Sequence, residues 1–221
     1  MAAPTAGTII DQALAKLLVF DQGRSDLGND DPELFKVLNR TLNRFYRQAS
    51  APVMNPHQER NDYFEVTESL TMAGSPATDD CAGFQWAPRI ENASGARVWI
   101  VSKSDLVLGR AELPPAVWLQ GLTVTTGART GDPVDTDVLT VRYTPIPGPL
   151  ADRDHYIGAT TPATQNTSKW PTEAGDEALI LALAVYLALK SGDLPGDELQ
   201  ILAAEAQAQE AQFLAFVRTV R

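Results

Sequence analysis

His57, His155 and Cys81 are the residues to which most metal or nucleophilic chemistry would turn, and the chain holds no other histidine or cysteine. A catalytic zinc needs three protein ligands at defined spacing. Neither histidine stands at such a spacing from Cys81, and His57, two residues before Glu59 in a proline-flanked stretch, reads as a surface side chain. No G-x-S-x-G elbow, P-loop or G-x-G-x-x-G fingerprint occurs. A Ser/His/Asp triad is assembled in space, but nothing local supports one. Asp132, Asp135 and Asp137 lie in Gly131–Asp137 like a loose calcium loop, yet depart from the EF-hand order. They read as a hairpin tip with solvated carboxylates, and Asp79-Asp80-Cys81 reads as a turn. A carboxylate-pair hydrolase needs two acids flanking the scissile bond, and the sequence offers no way to choose them. The reading assigns no catalytic residue, no metal ligand, no cofactor and no enzymatic activity.

Trp86, Trp99, Trp118 and Trp170 are the large aromatic anchors, three of them in the middle of the chain. A core role is the expectation for them, with glycan binding the alternative for an aromatic-rich sheet. Trp170, directly before Pro171, reads as a hydrophobic staple on the helix that follows.

These residues must be positioned by a chain of 221 residues, 44% hydrophobic, with a formal net charge of -10. That length supports one sizeable core, or a domain with an insert. The acidic balance lacks the basic footprint of a protein that grips DNA through its backbone. It suits a soluble surface, or a wall past which DNA slides. One cysteine allows no intrachain disulfide and calls for no oxidising compartment. The N-terminal residues do not read as a signal peptide, because Asp11 interrupts the apolar run and no basic residue precedes it. Ala178–Leu189 is too short to span a bilayer. The sequons at Asn39, Asn92 and Asn166 read as chance.

Periodicity supplies the elements. Ile9, Ile10, Ala13, Leu14, Leu17 and Leu18 predict a helix over about Thr8–Phe20. A second helix is expected over Asp31–Arg47, with Asp31 as N-cap, Pro32 at the first position and Leu34, Phe35, Leu38, Leu42, Phe45 and Tyr46 as the buried stripe. Arg40, Arg44 and Arg47 recur at i, i+4, i+7 along one side of it. They read as a solvated face, or as a strip meeting an acidic neighbour or a phosphate backbone. Pro52 and Pro56 close this helix and open a linker.

From Asp62 the period becomes two, with Phe64, Val66, Leu70 and Met72 on one face. Shorter strands are expected at Phe84–Trp86, Arg97–Val101, Leu106–Leu108, Val117–Leu119, Leu122–Thr125 and Val138–Thr144, as in an antiparallel sheet or small sandwich. Pro145–Lys169 reads as a partly ordered loop, or an arm to another subunit. A helix apolar nearly all round follows Pro171 and stops at Ser191-Gly192. Asp197 can cap a last helix, in which Leu199, Leu202, Ala206, Gln209, Phe213 and Phe216 form a heptad seam with Gln209 as a polar interruption. That seam packs on the chain's own helices or on a neighbouring subunit.

The fold class expected is α+β: a helical bundle domain from both chain ends with an inserted antiparallel β domain. The expected division is 1–60 N-terminal helices, 61–145 inserted β domain, 146–169 extended loop or arm, and 170–221 C-terminal helices.

This layout resembles the head–tail adaptor (connector, or neck) proteins of tailed bacteriophages and gene transfer agents. The resemblance rests on the opening Ile9–Leu18 helix, Asp31-Pro32-Glu33-Leu34, Leu38-Asn39, Leu42-Asn43, the β excursion, Trp170-Pro171 and Asp193-Leu194-Pro195. It covers most of the chain through order and texture, without a specific motif, and the β part is larger than in the simplest all-helical adaptors. The resemblance implies a structural virion protein made in the host cytoplasm, in a twelve-fold ring below the portal protein. DNA would pass through the lumen without sequence-specific binding, a tail or stopper protein would attach, and no membrane would be involved. On this reading Phe213, Phe216, Arg218 and Arg221 are the expected portal-binding residues, with the cations at a helix C-terminus that favours them. Leu199, Leu202, Ala206, Gln209, Arg40, Arg44 and Arg47 are the expected intersubunit residues. Two other classes compete: a tail component that binds a receptor or glycan, with Trp99 and Trp118 lining an open groove, and a hydrolase of cell wall or DNA, with clustered carboxylates.

Overall fold

The computed structural model describes residues 3–20, 32–50, 63–80, 83–85, 88–107, 114–127, 131–164, 169–192 and 194–219. Among them are five helices and eight strands in the order α1 (Ala6–Phe20), α2 (Pro32–Ala49), β1 (Val66–Thr71), β2 (Ala73–Gly74), β3 (Ala77–Asp80), β4 (Arg89–Glu91), β5 (Arg97–Ile100), α3 (Lys103–Val107), β6 (Ala116–Gln120), β7 (Thr123–Thr126), β8 (Val138–Tyr143), α4 (Thr172–Ser191) and α5 (Gly196–Thr219). The chain divides into two compact units, Met1–Phe64 with Ile146–Arg221, and Glu65–Pro145.

The first unit is built on apolar helix faces. The expected stripe of α2 is nearly the observed one: Leu34, Leu38, Leu42, Phe45, Tyr46 and Ala49 are buried, while Phe35 is only partly so. α4 buries nine of its twenty residues, between Gly175 and Ala188, more than any other helix of the unit among the described residues. It ends at Gly192, whose left-handed φ of 71° lets its N–H bond the Ala188 carbonyl at 3.1 Å. α5 buries only Leu202, Phe213 and Val217. Lys16 of α1 and Glu177 of α4 form an ion pair.

The segment after Pro145, expected as a partly ordered loop or an arm to another subunit, is in its described part packed into this unit. Leu150 and Ile157 are buried. Asn39 clamps Leu150 with both ends of its amide, donating to the carbonyl and accepting from the N–H, each at 2.8 Å. Tyr46 donates its hydroxyl to the Gly158 carbonyl at 3.0 Å, and burial pushes that phenol's pKa up. The chain start pairs with the same segment through Ala6 N–H to His155 O at 2.8 Å and Ile157 N–H to Pro4 O at 2.9 Å. His155 accepts the Ala151 N–H on Nδ1 at 3.0 Å, which makes it a loop cap.

The second unit overturns the expected fold class. The strands form one eight-stranded sheet in the order β1-β8-β4-β5-β6-β7-β3-β2. It is mixed, because β5 and β6 run parallel with Trp99 opposite Ala116. A parallel pair requires a crossover connection, and α3 lies between the two strands in sequence. The sheet also nearly closes. β1 and β2 occupy opposite ends of the order, yet only Met72 separates them in sequence. Thr71 of β1 donates its N–H to Asp79 Oδ2 of β3 at 2.9 Å. A barrel-like sheet replaces the helical bundle with a small antiparallel insert, and it encloses Leu70, Met72, Ile90, Val98, Val117, Val124, Leu139 and Val141.

Several local expectations change with it. Leu106–Leu108 was expected as a strand. Its described part belongs to α3, whose start is fixed by the Asp105 N–H on Ser102 Oγ at 3.2 Å. Asp79 and Asp80 sit on a strand and not in a turn. Phe84 contributes only an isolated bridge to Pro145. Phe64, expected on the first strand, is buried in the helical unit. The expectations for Asp31, Pro52, Pro56, His57, Cys81, Trp86, Leu108 and Asn166 lie outside the described residues.

Candidate functional site

Chemistry first: among the described residues no group of three or more His, Cys, Asp or Glu side chains is placed to hold a metal ion. The aspartates read as a loose calcium loop serve separate backbone groups. Asp132 accepts the Ala116 N–H at 3.1 Å, Asp135 the Gly74 N–H at 2.9 Å, and Asp137 the Val134 N–H at 2.8 Å. No helix among the described residues is long and apolar enough to cross a membrane.

The helical unit carries a groove of about 470 Å³ between α2, α4 and α5. Its walls include Val37, Arg40, Thr41 and Arg44 from α2, Ala182, Val185 and Tyr186 from α4, and Ala203, Ala206, Gln207 and Glu210 from α5. The sequence creates it in two ways. Alanines at 182, 203 and 206 leave the space that longer side chains would fill. The buried stripe of α2 turns the opposite side, with Arg40, Arg44 and Arg47, outward.

Electrostatically the groove is two-sided. Arg44 pairs with Glu210 at 2.8 Å across α2 and α5, and its guanidinium lies 5.2 Å from the Phe45 ring centroid. Arg40 is exposed and makes no ion pair with a described residue. Arg47 is exposed but is not without interaction. The heptad seam is split by this geometry. Leu202 is buried, Leu199 is half-buried against the core, Ala206 forms groove wall, and Gln209 is half-buried.

The four residues expected at a portal contact part company too. Phe213 is fully buried, with its ring 5.0 Å from Phe45 and 5.3 Å from Trp170, and has no surface to offer. Phe216 is 41% exposed and meets the Tyr63 ring edge-on at 6.1 Å. Arg218 is exposed, and Arg221 lies outside the described residues. Sequence reasoning missed Glu210, Tyr186 and Ala203. Helical spacing relates residues within one helix, and these meet α2 only through tertiary packing.

Trp170 is the hub beneath this surface. It stacks with Phe45 at 6.4 Å and Tyr46 at 6.2 Å, and donates Nε1–H to Asp176 Oδ1 at 2.8 Å. Burial lifts the Asp176 carboxyl to about 6, although the Trp170 hydrogen bond favours the ionised form and pulls it down. The folded protein thus binds this proton more tightly than the unfolded chain. Its contribution favours folding at low pH and is lost as pH rises from the ordinary 3.8 through about 6. Asp176→Asn keeps an acceptor for Trp170 and removes the titration. Thermal denaturation between pH 4 and pH 7.5 should show the variant gaining on the wild type as pH rises; parallel pH profiles would contradict this.

No protein-family model and no curated protein matches this sequence.

Proposed function

We propose that this chain is a structural subunit of a virion neck, an adaptor ring below the portal that gives DNA a passage and a tail or stopper protein an attachment surface. The observation that carries the reading is the α2–α4–α5 groove, an open slot with Ala182, Ala203 and Ala206 among its lining residues and exposed Arg40 at its edge. Small wall residues let a helix approach closely. The occupant is a helix of a second copy. With 28 acidic against 18 basic residues, the chain itself supplies the carboxylates that Arg40 and Arg44 would meet. A contact between two different surfaces of identical subunits is head-to-tail, and it builds a ring when the rotation closes. The same unit exposes Ile201 (62%), Leu189 (62%) and Phe216 (41%), apolar surface suited to burial against partners.

The double variant Arg40→Gln/Arg44→Gln tests this. Both side chains are exposed, and the one ion pair lost is a surface pair worth about 0–1 kcal/mol, so the monomer should melt close to wild type. Assembly on portal-bearing heads should be lost. Wild-type assembly by a folded double variant would remove the groove from the account.

A second reading, a tail component that binds a receptor or glycan, draws on Trp99, which is 46% exposed. Arg97 lies over that ring at 4.6 Å from its centroid and occupies a face on which a sugar would stack.

A further inference from the structure

The outer face of the sheet concentrates positive charge and indole rings in an otherwise acidic chain. Register defines the face. Glu91 of β4 is opposite Arg97 of β5, Arg89 of β4 is opposite Arg142 of β8, and Trp99 of β5 is opposite Ala116 of β6. Side chains alternate along a strand, so Arg89, Glu91, Arg97, Trp99, Trp118 and Arg142 share one side, away from buried Ile90, Val98, Val117 and Val141. Arg97 lies over the Trp99 ring, and Lys103, from the short helix after β5, lies over the Trp118 ring at 4.8 Å. Trp99 and Trp118 stand diagonally on the adjacent strands β5 and β6, with Trp118 two residues beyond the partner of Trp99.

Arg89, Arg97, Lys103 and Arg142 stand against two nearby carboxylates, Glu91 and Asp105; Asp80 lies on the same face two strands from Trp118, where it accepts the Thr123 hydroxyl at 2.6 Å. Like charges directly opposite in a sheet are destabilising. Arg89 and Arg142 are nonetheless paired, sharing Glu91 at 2.7 and 3.6 Å. The buried Nε of Arg142 has no hydrogen-bond acceptor. Asp105, on the helix of Lys103, is held by the Ser102 hydroxyl at 2.6 Å.

We propose that this face binds single-stranded nucleic acid without sequence preference. The cations would take phosphates, and the Arg97–Trp99 and Lys103–Trp118 pairs would act as platforms for unpaired bases. Non-specific single-strand binding combines a cationic track with aromatic platforms, and bases stack on guanidinium planes as well as on rings. A glycan would need the ring face that Arg97 covers, and an acidic peptide would have no use for the indoles. The inference stands whether or not the chain forms a ring.

The test is fluorescence anisotropy of a labelled twenty-residue oligothymidylate with the full chain at 50 mM salt, repeated over a salt series. Binding is expected with Kd on the order of 1–100 µM. Three or four phosphate contacts give a log–log salt slope of about -2 to -3. Arg97→Glu/Lys103→Glu should weaken binding at least tenfold and flatten the slope. Trp99→Ala should weaken it severalfold with the slope unchanged, which separates stacking from charge. Circular dichroism checks each fold, and Arg97→Gln/Lys103→Gln replaces the charge reversal if that variant does not fold. The proposal is overturned if no binding occurs at 50 mM salt. It is also overturned if a duplex of equal length binds as tightly, if Trp99→Ala has no effect, or if polyglutamate displaces the oligonucleotide at equal charge.

Discussion

Phe213→Ala lowers the stability of the helical unit by about 3–5 kcal/mol, the usual range for deleting a fully buried aromatic ring. The ring of Phe213 is wholly buried, 5.0 Å from Phe45 and 5.3 Å from Trp170. Trp170 stacks in turn on Tyr46 and Phe64, and those two rings on each other, so the cavity would have little freedom to collapse. Truncation after Gln212 removes Phe213 together with Val217, also wholly buried. It therefore damages the fold, so Phe213, expected at a portal contact, belongs to the core of this unit. Urea denaturation followed by far-ultraviolet circular dichroism measures the loss. A change of less than about 1 kcal/mol for Phe213→Ala would show that the aromatic cluster is not the core of this unit.

Gly175→Ala is expected to destabilise in spite of its helix propensity. Alanine favours a helix interior over glycine by about 1 kcal/mol. Here the added Cβ would stand 2.6 Å from the Cε2 and Cζ2 atoms of Trp170 and 2.9 Å from its Nε1. The indole cannot withdraw easily, because Phe45 and Phe213 pack against it and Asp176 accepts from its Nε1. Overpacking of this kind costs about 1–3 kcal/mol, and displacing Trp170 also strains the hydrogen bond to Asp176. The net expectation is a lower melting temperature with a changed near-ultraviolet tryptophan signal. A higher melting temperature with an unchanged signal would mean that Trp170 is not wedged against α4.

Helices were the legible part of this sequence. α1 and α2 were expected at Thr8–Phe20 and Asp31–Arg47 and are observed at Ala6–Phe20 and Pro32–Ala49. The stop of α4 was expected at Ser191-Gly192, where the left-handed glycine stands. Those signals are local: a stripe of period 3.6, a proline at the first turn, a glycine past the last. The strands Arg97–Ile100, Ala116–Gln120, Thr123–Thr126 and Val138–Tyr143 fall close to their expected places for the same reason. Their pairing does not. Whether β5 turns back on β4 alone or also runs parallel to β6 is a matter of tertiary pairing that no local pattern carries. The punctuation of glycine, proline and aspartate reads the same for a hairpin and for a crossover. At three residues β4 is too short for its alternation to signal a strand, and the apolar Leu106 and Val107 read as a strand where α3 stands.

The candidate groove was half legible. Arg40, Arg44 and Arg47 were marked by their spacing, and Ala206 by the heptad. Glu210 became visible as a partner only when α5 was laid against α2. Asn39 carried a sequon that means nothing for its place in the fold, where both ends of its amide hold Leu150. The outer-face cations were invisible for a related reason: Arg89, Arg97, Lys103 and Arg142 are scattered in sequence and converge only through register.

The central claim, that this chain assembles as a neck adaptor, is tested most directly by negative-stain microscopy of the purified protein mixed with portal-bearing heads from its own genome neighbourhood. The account predicts a collar of rotationally repeated density on the portal vertex. Bare vertices, with the protein remaining free in solution, would contradict it.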